Sequence, residues 1–292
     1  MANSRTPSDE ITKEGFGIHA RRAIAYIFLI IITILCLFWF YVLFVNATRT
    51  HSEIQLGFHA LPGTNFAKNF YNTIINGSQP VWNGLINSVI IAALSAVLTT
   101  YFSTMTAYAL HVYTFKLKKV MHTFILMIMM IPTQVTALGF VQLVGKMHLE
   151  DSFIPLIVPT IAAPVTFFYM KQYMESALPL SLIEAARIDG SGEFHTFNQI
   201  VLPLMKPAIA VQAIFTFVSS WNNYFTPALI LHDDKKKTLP ILIAQLRAAD
   251  WLKFDMGQVY VMITFSILPV IVVYLILSKH IVQGIALGSV KG

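Results

Sequence analysis

Six apolar stretches, at about 23–45, 84–110, 120–143, 154–173, 207–231 and 257–278, constrain this chain more than anything else in it. At about 1.5 Å per helical residue, about 20 residues cross a hydrocarbon core of about 30 Å. Lipid offers the backbone no hydrogen-bonding partner, so each crossing must close its own bonds as a helix. The expectation is an all-α, polytopic membrane protein with six transmembrane helices. The fourth is the least regular, because Pro155, Pro159 and Pro164 interrupt it, and neighbouring helices must cover the carbonyls those prolines free. Composition agrees: 56% of residues are hydrophobic, 12% are charged and the mean hydropathy is +0.66, beyond the range of a soluble domain.

The basic residues set an orientation. With the N-terminus inside, the cytoplasmic side holds Arg5, Lys13, Arg21, Arg22, Lys116, Lys118, Lys119, Lys171, Arg187, Lys206, Lys279 and Lys291, against eight Lys and Arg outside. Both termini are expected in the cytoplasm, and the tight turn at Lys116, Lys118 and Lys119 is the cleanest signal. The net charge of +6 is thus a topology signal rather than a nucleic-acid footprint. The first stretch is about twice as long as a signal-peptide core and no small-x-small cleavage site follows it, so it reads as an uncleaved anchor. Residues 1–22 form a polar cytoplasmic tail, 23–282 the membrane domain with a cytoplasmic loop at 174–206, and 283–292 a cytoplasmic C-terminal tail.

Enzyme chemistry finds no home in this pattern. Cys36 is the single cysteine and lies within the first apolar stretch, which excludes an intramolecular disulfide and a cysteine metal site. The nine histidines show no zinc spacing, and no G-x-S-x-G marks a nucleophile. Gly139, Gly145 and Lys146 mimic a phosphate-binding loop, but the glycine spacing is one residue too long and Met147 stands where a Ser or Thr is needed. ATP, if it drives this protein, binds another subunit.

The loop between the fourth and fifth stretches carries EAARIDGSGEFHTFNQIVLP, Glu184 to Pro203. Ser181 and Glu184 have the spacing of a capping box, which predicts a short helix from about Leu182. Gly190 can take the left-handed conformation that ends it, about two turns on. Leu182, Ile183 and Ala186 give an apolar stripe, while Glu184, Arg187 and Asp189 supply charge, with Glu184 and Arg187 close enough to pair across one turn. Small side chains at Ala185 and Ala186 let such a helix lie deep in a groove. Gly192 permits a redirection, and Pro203 with Pro207 fixes the return to the fifth stretch. An amphipathic loop resting on the membrane surface is the alternative from composition alone.

The pattern E-A-A, three residues, a glycine, nine residues and I-x-L-P resembles the docking loop of permease subunits in bacterial ATP-binding-cassette importers. The RRAIAY segment, SLIEAARIDG with IVLPLMKPAIA, WNNYFTPALIL, the TLP of the last outer loop and the GSVKG ending resemble the maltose-type, carbohydrate-transporting branch, in its shorter six-helix partner. The resemblance implies that Ser181, Glu184, Ala185, Ala186, Arg187, Asp189 and Gly190 form a coupling helix seated in a cleft of an ATPase. It also implies that the tail with Gly288 and Lys291 inserts between two ATPase subunits. The partners implied are a second, homologous permease, two ATPase subunits carrying ATP and Mg, an extracytoplasmic solute-binding protein and a sugar, an oligosaccharide ahead of a monosaccharide. No cofactor is expected on this chain and no nucleic acid.

Ser219, Ser220, Asn222 and Asn223 around Trp221, with Tyr224, form the most polar cluster inside an apolar stretch. They line the pore, with the aromatic faces available to sugar rings, or they bind one helix to another. The outer segment 46–83 has the composition of a loop that meets a binding protein, with Trp82 as an alternative interfacial anchor. The 232–256 segment holds a short helical stretch that reaches the binding protein or lies on the membrane. The rival class, an ion-coupled secondary transporter, needs an ionisable residue inside a helix, and no Asp, Glu, Lys or Arg lies in the cores of the six stretches.

Overall fold

The computed structural model describes residues 7–77, 79–248 and 255–288, and among these all regular structure is helical. Two compact units emerge, one within residues 1–70 and 255–264, the other within 71–254 and 265–292.

In the first unit α1 spans Pro7–Ala47. It begins well before the apolar run, so residues 7–22 of the expected polar tail are helical. Its side chains from Arg21 to Tyr41 are exposed around the whole circumference, Cys36 included, and Val45 and Ala47 near its end are buried. Beyond it, Thr50 and Glu53 form a capping box for the short helix His51–Gln55, so part of the 46–83 segment is ordered rather than a plain loop. Asn69 Nδ2 donates to the carbonyls of Ala47, at 3.0 Å, and Arg49, at 2.8 Å. This tie leaves no room over Gly257, where an added Cβ would stand 2.7 Å from the Arg49 carbonyl oxygen and 2.6 Å from Asn69 Nδ2.

The second unit is organised around α2, Val81–Val112. Its buried face reads Gly84, Ser88, Ala92, Ser95, Ala96, Thr99, Ser103, Thr104, Ala107, small residues at helical spacing, and small side chains let neighbouring backbones come close. Two helices pack against it: α5, Pro164–Ala177, and α7, Lys206–Trp221. Two buried threonines are satisfied locally, Thr100 Oγ1 donating to Ala96 O at 2.7 Å and Thr104 Oγ1 to Thr100 O at 2.6 Å, whereas Ser95 Oγ and Ser103 Oγ are buried with no hydrogen-bond partner among the described residues.

The six expected spanning segments are not all continuous helices. Among the described residues four helices are long and apolar enough to cross singly, at Arg21–Ala47, Val81–Val112, Ile154–Ala177 and Met256–Lys279. The third apolar stretch is split into α3, Lys118–Ile128, and α4, Thr133–Lys146. Pro132, with extended backbone at ψ 131°, separates them because a proline disfavours helix in the residue before it and brings no N–H. The fourth stretch passes from Ile154–Ile157 through a 3₁₀ turn, Val158–Ile161, into α5, the irregularity its prolines predict. The fifth ends at Trp221 and resumes only as Phe225–Ile230. The arm Glu193–Leu204 meets α7 at an 80° bend; with Glu193, His195, Asn198 and Gln199 it belongs to the polar loop, and the spanning part starts at Lys206.

The stretch near residue 240 is α8, Leu239–Arg247. It is not free on a membrane surface: Leu239, Ile241 and Leu242 are buried, and it packs on α2. Asn87 Nδ2 donates to the carbonyls of Lys235 and Lys237, at 2.9 and 3.0 Å, and Ser88 Oγ accepts from Leu239 N at 2.8 Å. Trp82 stands edge-on to Phe265, centroids 5.5 Å apart. The last helix, α9, spans Met256–Gly288.

Gly257→Ala is expected to destabilise the protein by about 1–3 kcal/mol, as overpacking against backbone does. Gly84→Ala, whose Cβ meets first a methyl of Leu242 at 2.5 Å, has a side chain that can give way and is expected to lose less. Thermal unfolding midpoints of the purified variants check the order.

Candidate functional site

The loop helix α6 spans Leu180–Ile188. Pro179 takes the N-cap position with no side-chain cap bond, and Leu182 N bonds to Pro179 O at 3.2 Å. The expected Ser181–Glu184 capping box is therefore absent: the proline starts the helix two residues early, and Ser181 lies in its first turn. The other end behaves as read. Gly190 has φ +79°, its N–H bonds to Arg187 O at 3.0 Å, and Ser191 N reaches back to Ala186 O at 2.9 Å. These two bonds are those of a Schellman cap, which a residue with a Cβ would strain. Gly192, by contrast, is ordinary extended backbone at φ −70°, ψ 151°.

One face of α6 is anchored. Ile183 is fully buried in a cluster with Met174, Leu178, Phe197, Val201 and Met205, which also includes Ala107 and Tyr108 of α2. Ala186 points the same way and is buried. The opposite face carries Ser181, Glu184, Ala185 and Asp189, all exposed, and Ile188, 86% exposed; Phe194, 72% exposed, lies in the next helical turn, Glu193–Thr196, and sequence reading passed over both apolar residues. Of the two alanines only Ala185 is available to a partner.

Arg187 does not pair with Glu184. Its Nε donates to Glu193 Oε1 at 2.7 Å, and its guanidinium lies over the Tyr113 ring, 5.4 Å from the centroid. Glu193 Oε2 accepts from Tyr108 Oη at 2.9 Å, so the loop is tied to the end of α2. The Arg187 hydrogen bond, with those from Tyr113 and Tyr108, holds the Glu193 carboxyl down to about 2, against opposing burial. Burial is the first cause that raises the Tyr113 phenol, and the Glu193 bond raises the Arg187 guanidinium. Neither Tyr108 nor Glu193 announced itself in the sequence, because the pair is 85 residues apart. An acidic residue opening a helical turn after Gly192 was the one local sign.

The fifth-stretch candidates do not form a single cluster. Trp221 is buried and stacked on Phe217, centroids 5.8 Å apart and planes 13° apart, which removes one ring face from any ligand. Asn223 Oδ1 accepts from Thr226 N at 3.3 Å across the helix break. Ser219, Asn222 and Tyr224 are exposed, and Ser220 is half-buried. At the other candidate, α9 continues through Gly288, so the tail is helical to that point; Lys291 lies outside the described residues.

Several apolar helices of membrane-crossing length, with a capped and anchored loop helix between two of them, define a polytopic helical membrane protein. Residues 100–287 match the family described as "Binding-protein-dependent transport system inner membrane component". The arabinooligosaccharides transport system permease protein AraQ of Bacillus subtilis is 34% identical over 272 residues, 91% of this chain and 94% of that protein. The sn-glycerol-3-phosphate transport system permease protein UgpE of Yersinia pestis is 31% identical over 265 residues, 89% of this chain and 94% of its own length. A solved chain of a bacterial ABC transporter involved in importing the acidic polysaccharide alginate shares the fold, with a TM-score of 0.74 at 22% identity, over 95% of this chain and 99% of that one. The chain belongs to the binding-protein-dependent transport system inner membrane components, the permeases of ABC importers.

Because Glu193 is depressed from its ordinary 4.5 in the folded chain, its contribution to stability is present above that value and is lost as pH falls toward 2. A carbon NMR titration of the labelled carboxyl is expected to show a midpoint near 2, moved back up toward the ordinary value in Arg187→Gln.

Proposed function

We propose that this chain forms half of the translocation pore of an ATP-driven, binding-protein-dependent carbohydrate importer, and that force enters it through α6. In this reading both termini and the 174–206 loop are cytoplasmic. A second, homologous permease completes the pore, two ATPase subunits hold ATP and Mg, and an extracytoplasmic binding protein delivers the cargo. No catalytic step falls to this chain.

The observation that carries the docking role is the outward face of α6. Glu184, Ala185 and Ile188 stand free on a helix whose other side is buried through Ile183, and Phe194 is exposed in the turn that follows it. A large apolar side chain one turn from a carboxylate, with an alanine that lets the backbone approach, is what a helix-in-groove contact uses. A loop lying on lipid alone would leave Glu184 without a purpose on that face. The Arg187–Glu193–Tyr108 tie, on the neighbouring side, leads from the loop to α2. The second site proposed to meet the ATPases is the C-terminal tail with Gly288 and Lys291, and Ser219, Asn222 and Tyr224 are the pore or substrate candidates left exposed.

The arabinooligosaccharide relative, at 34% identity, supports an oligosaccharide as cargo; the glycerophosphate relative, at 31%, makes a phosphorylated polyol the competing one. The experiment is ATP hydrolysis by the complex that copurifies with the tagged chain, reconstituted with its candidate binding protein and each ligand class. Hydrolysis stimulated by one loaded binding protein supports the reading and identifies the cargo. A chain that copurifies with no ATPase would sink it.

Two variants separate docking from folding. Glu184→Lys is expected to leave the chain inserted but abolish uptake and the stimulation of hydrolysis. Ile188→Asp is expected to weaken ATPase copurification by about 30-fold, the loss typical of an interface anchor, with the thermal midpoint of the isolated chain unchanged.

A further inference from the structure

A cleft of about 620 Å³ lies between α2, α7 and residues 273–277 of α9, all within the second unit. On α2 it is floored by Ala93, Ala96, Val97 and Thr100, and on α7 it is walled by Lys206, Ile209, Ala213 and Phe217. The α7 residues stand at i, i+3, i+7 and i+11, so the lysine and the apolar strip share one face of one helix and one cavity. From Lys206 to Phe217 that strip is about 16 Å long. Lys206 is exposed and begins α7, which puts its ammonium at the membrane interface and Phe217 toward the interior. No carboxylate lines the cleft, and Lys206 makes no ion pair among the described residues. The other polar side chains there are already engaged. Thr100 Oγ1 donates to Ala96 O at 2.7 Å, Tyr101 Oη to Asn198 Oδ1 at 3.3 Å, and Asn198 Nδ2 to Phe194 O at 2.8 Å.

These features choose the occupant. A sugar would bury hydroxyls against side chains with nothing left to give them, which is costly, so the cleft is no part of a sugar path. A free phosphate would meet Lys206 and leave the apolar strip unused. A helix is too wide: 620 Å³ over about 16 Å is a cross-section of about 40 Å², against about 80 Å² for a helix about 10 Å across. What remains is a narrow apolar chain ending in one negative charge. The cleft is open rather than sealed, so a two-chain lipid seats one chain in it and keeps the other in the bilayer. We propose that this cleft binds an anionic phospholipid, with one acyl chain along Ile209, Ala213 and Phe217 and the phosphate against Lys206.

The test is native mass spectrometry of the full-length chain with its copurifying subunits, exchanged into micelles doped with phosphatidylglycerol or phosphatidylcholine of the same acyl chains. Phosphatidylglycerol is expected to be retained in preference to phosphatidylcholine. Lys206→Gln should lower its retention about fivefold, the attraction that one lysine near the surface exerts on anionic lipid, and Lys206→Arg should keep it. Ala213→Trp, which fills the cleft and spares the lysine, should abolish it. Equal retention of the two lipids, or unchanged retention in Lys206→Gln or in Ala213→Trp, would each overturn the proposal. Ala213→Cys that crosslinks to a copurifying subunit through a short thiol-reactive reagent would put a protein partner in the cleft and overturn the lipid.

Discussion

Lipid gives one apolar helix no hydrophobic reason to prefer another over the surrounding acyl chains, so association in the bilayer depends on close packing. The buried face of α2 supplies it. Gly84, Ser88, Ala92, Ala96, Thr100, Thr104 and Ala107 recur at helical spacing, and α5 and α7 lie against them. Thr100 and Thr104 add close approach without leaving their hydroxyls in need, since each donates to a carbonyl one turn back along the same helix, while the Ser95 and Ser103 hydroxyls are buried with no partner among the described residues. Three helices of the second unit, α5, α7 and α8, are referenced to this strip. At one end α8 closes over Gly84, and at the other the α6 loop is anchored through Ala107 and Tyr108.

Two kinds of interaction hold that loop, and their magnitudes differ. The Arg187–Glu193 pair leaves its side chains 38% and 44% exposed, and ion pairs of that kind contribute about 0–1 kcal/mol. Fully burying an Ile contributes about 1.5–3 kcal/mol, and Ile183 is fully buried. Packing therefore fixes the loop and the polar tie orients it. A loop set by packing has one rigid arrangement, whereas a loop set by surface charges would reorganise with salt. Under the proposed docking role, this packing is the route by which force on the exposed face of α6 would reach α2.

The division between what the sequence made legible and what it hid follows the range of the interactions. Length and hydropathy are local, and they located every apolar stretch and the irregular fourth segment. The breaks at Pro132 and at Asn222–Tyr224 were missed although the residues stood in plain view, because a run read for its apolar share hides one proline or two asparagines. In α6 the Gly190 cap was legible, since a left-handed residue ends a helix whatever surrounds it. The Ser181 cap was not, because Pro179 competes for the same helix start and wins by its fixed φ. The Arg187 partner was misread for a different reason. Glu184 is its neighbour along the helix, but Glu193 is brought beside it by the turn at Gly190 and held by Tyr108, a contact that no spacing rule contains.

The breaks themselves carry an argument about assembly. Residues Met129 to Pro132 and Asn222 to Tyr224 interrupt segments that are otherwise apolar and helical, so some of their backbone groups lack the partners a continuous helix provides. Hydrocarbon cannot supply those partners, and irregular backbone within a membrane persists only where protein covers it or water reaches it. In this chain alone neither condition is met at the side chains: Met129, Met130, Ile131 and Pro132 are exposed, and so are Asn222 and Tyr224. The first break is apolar and calls for a protein cover; the second is polar and suits a wet path. One break of each kind supports the proposed reading, in which a partner closes one side of the chain and solute passes along another.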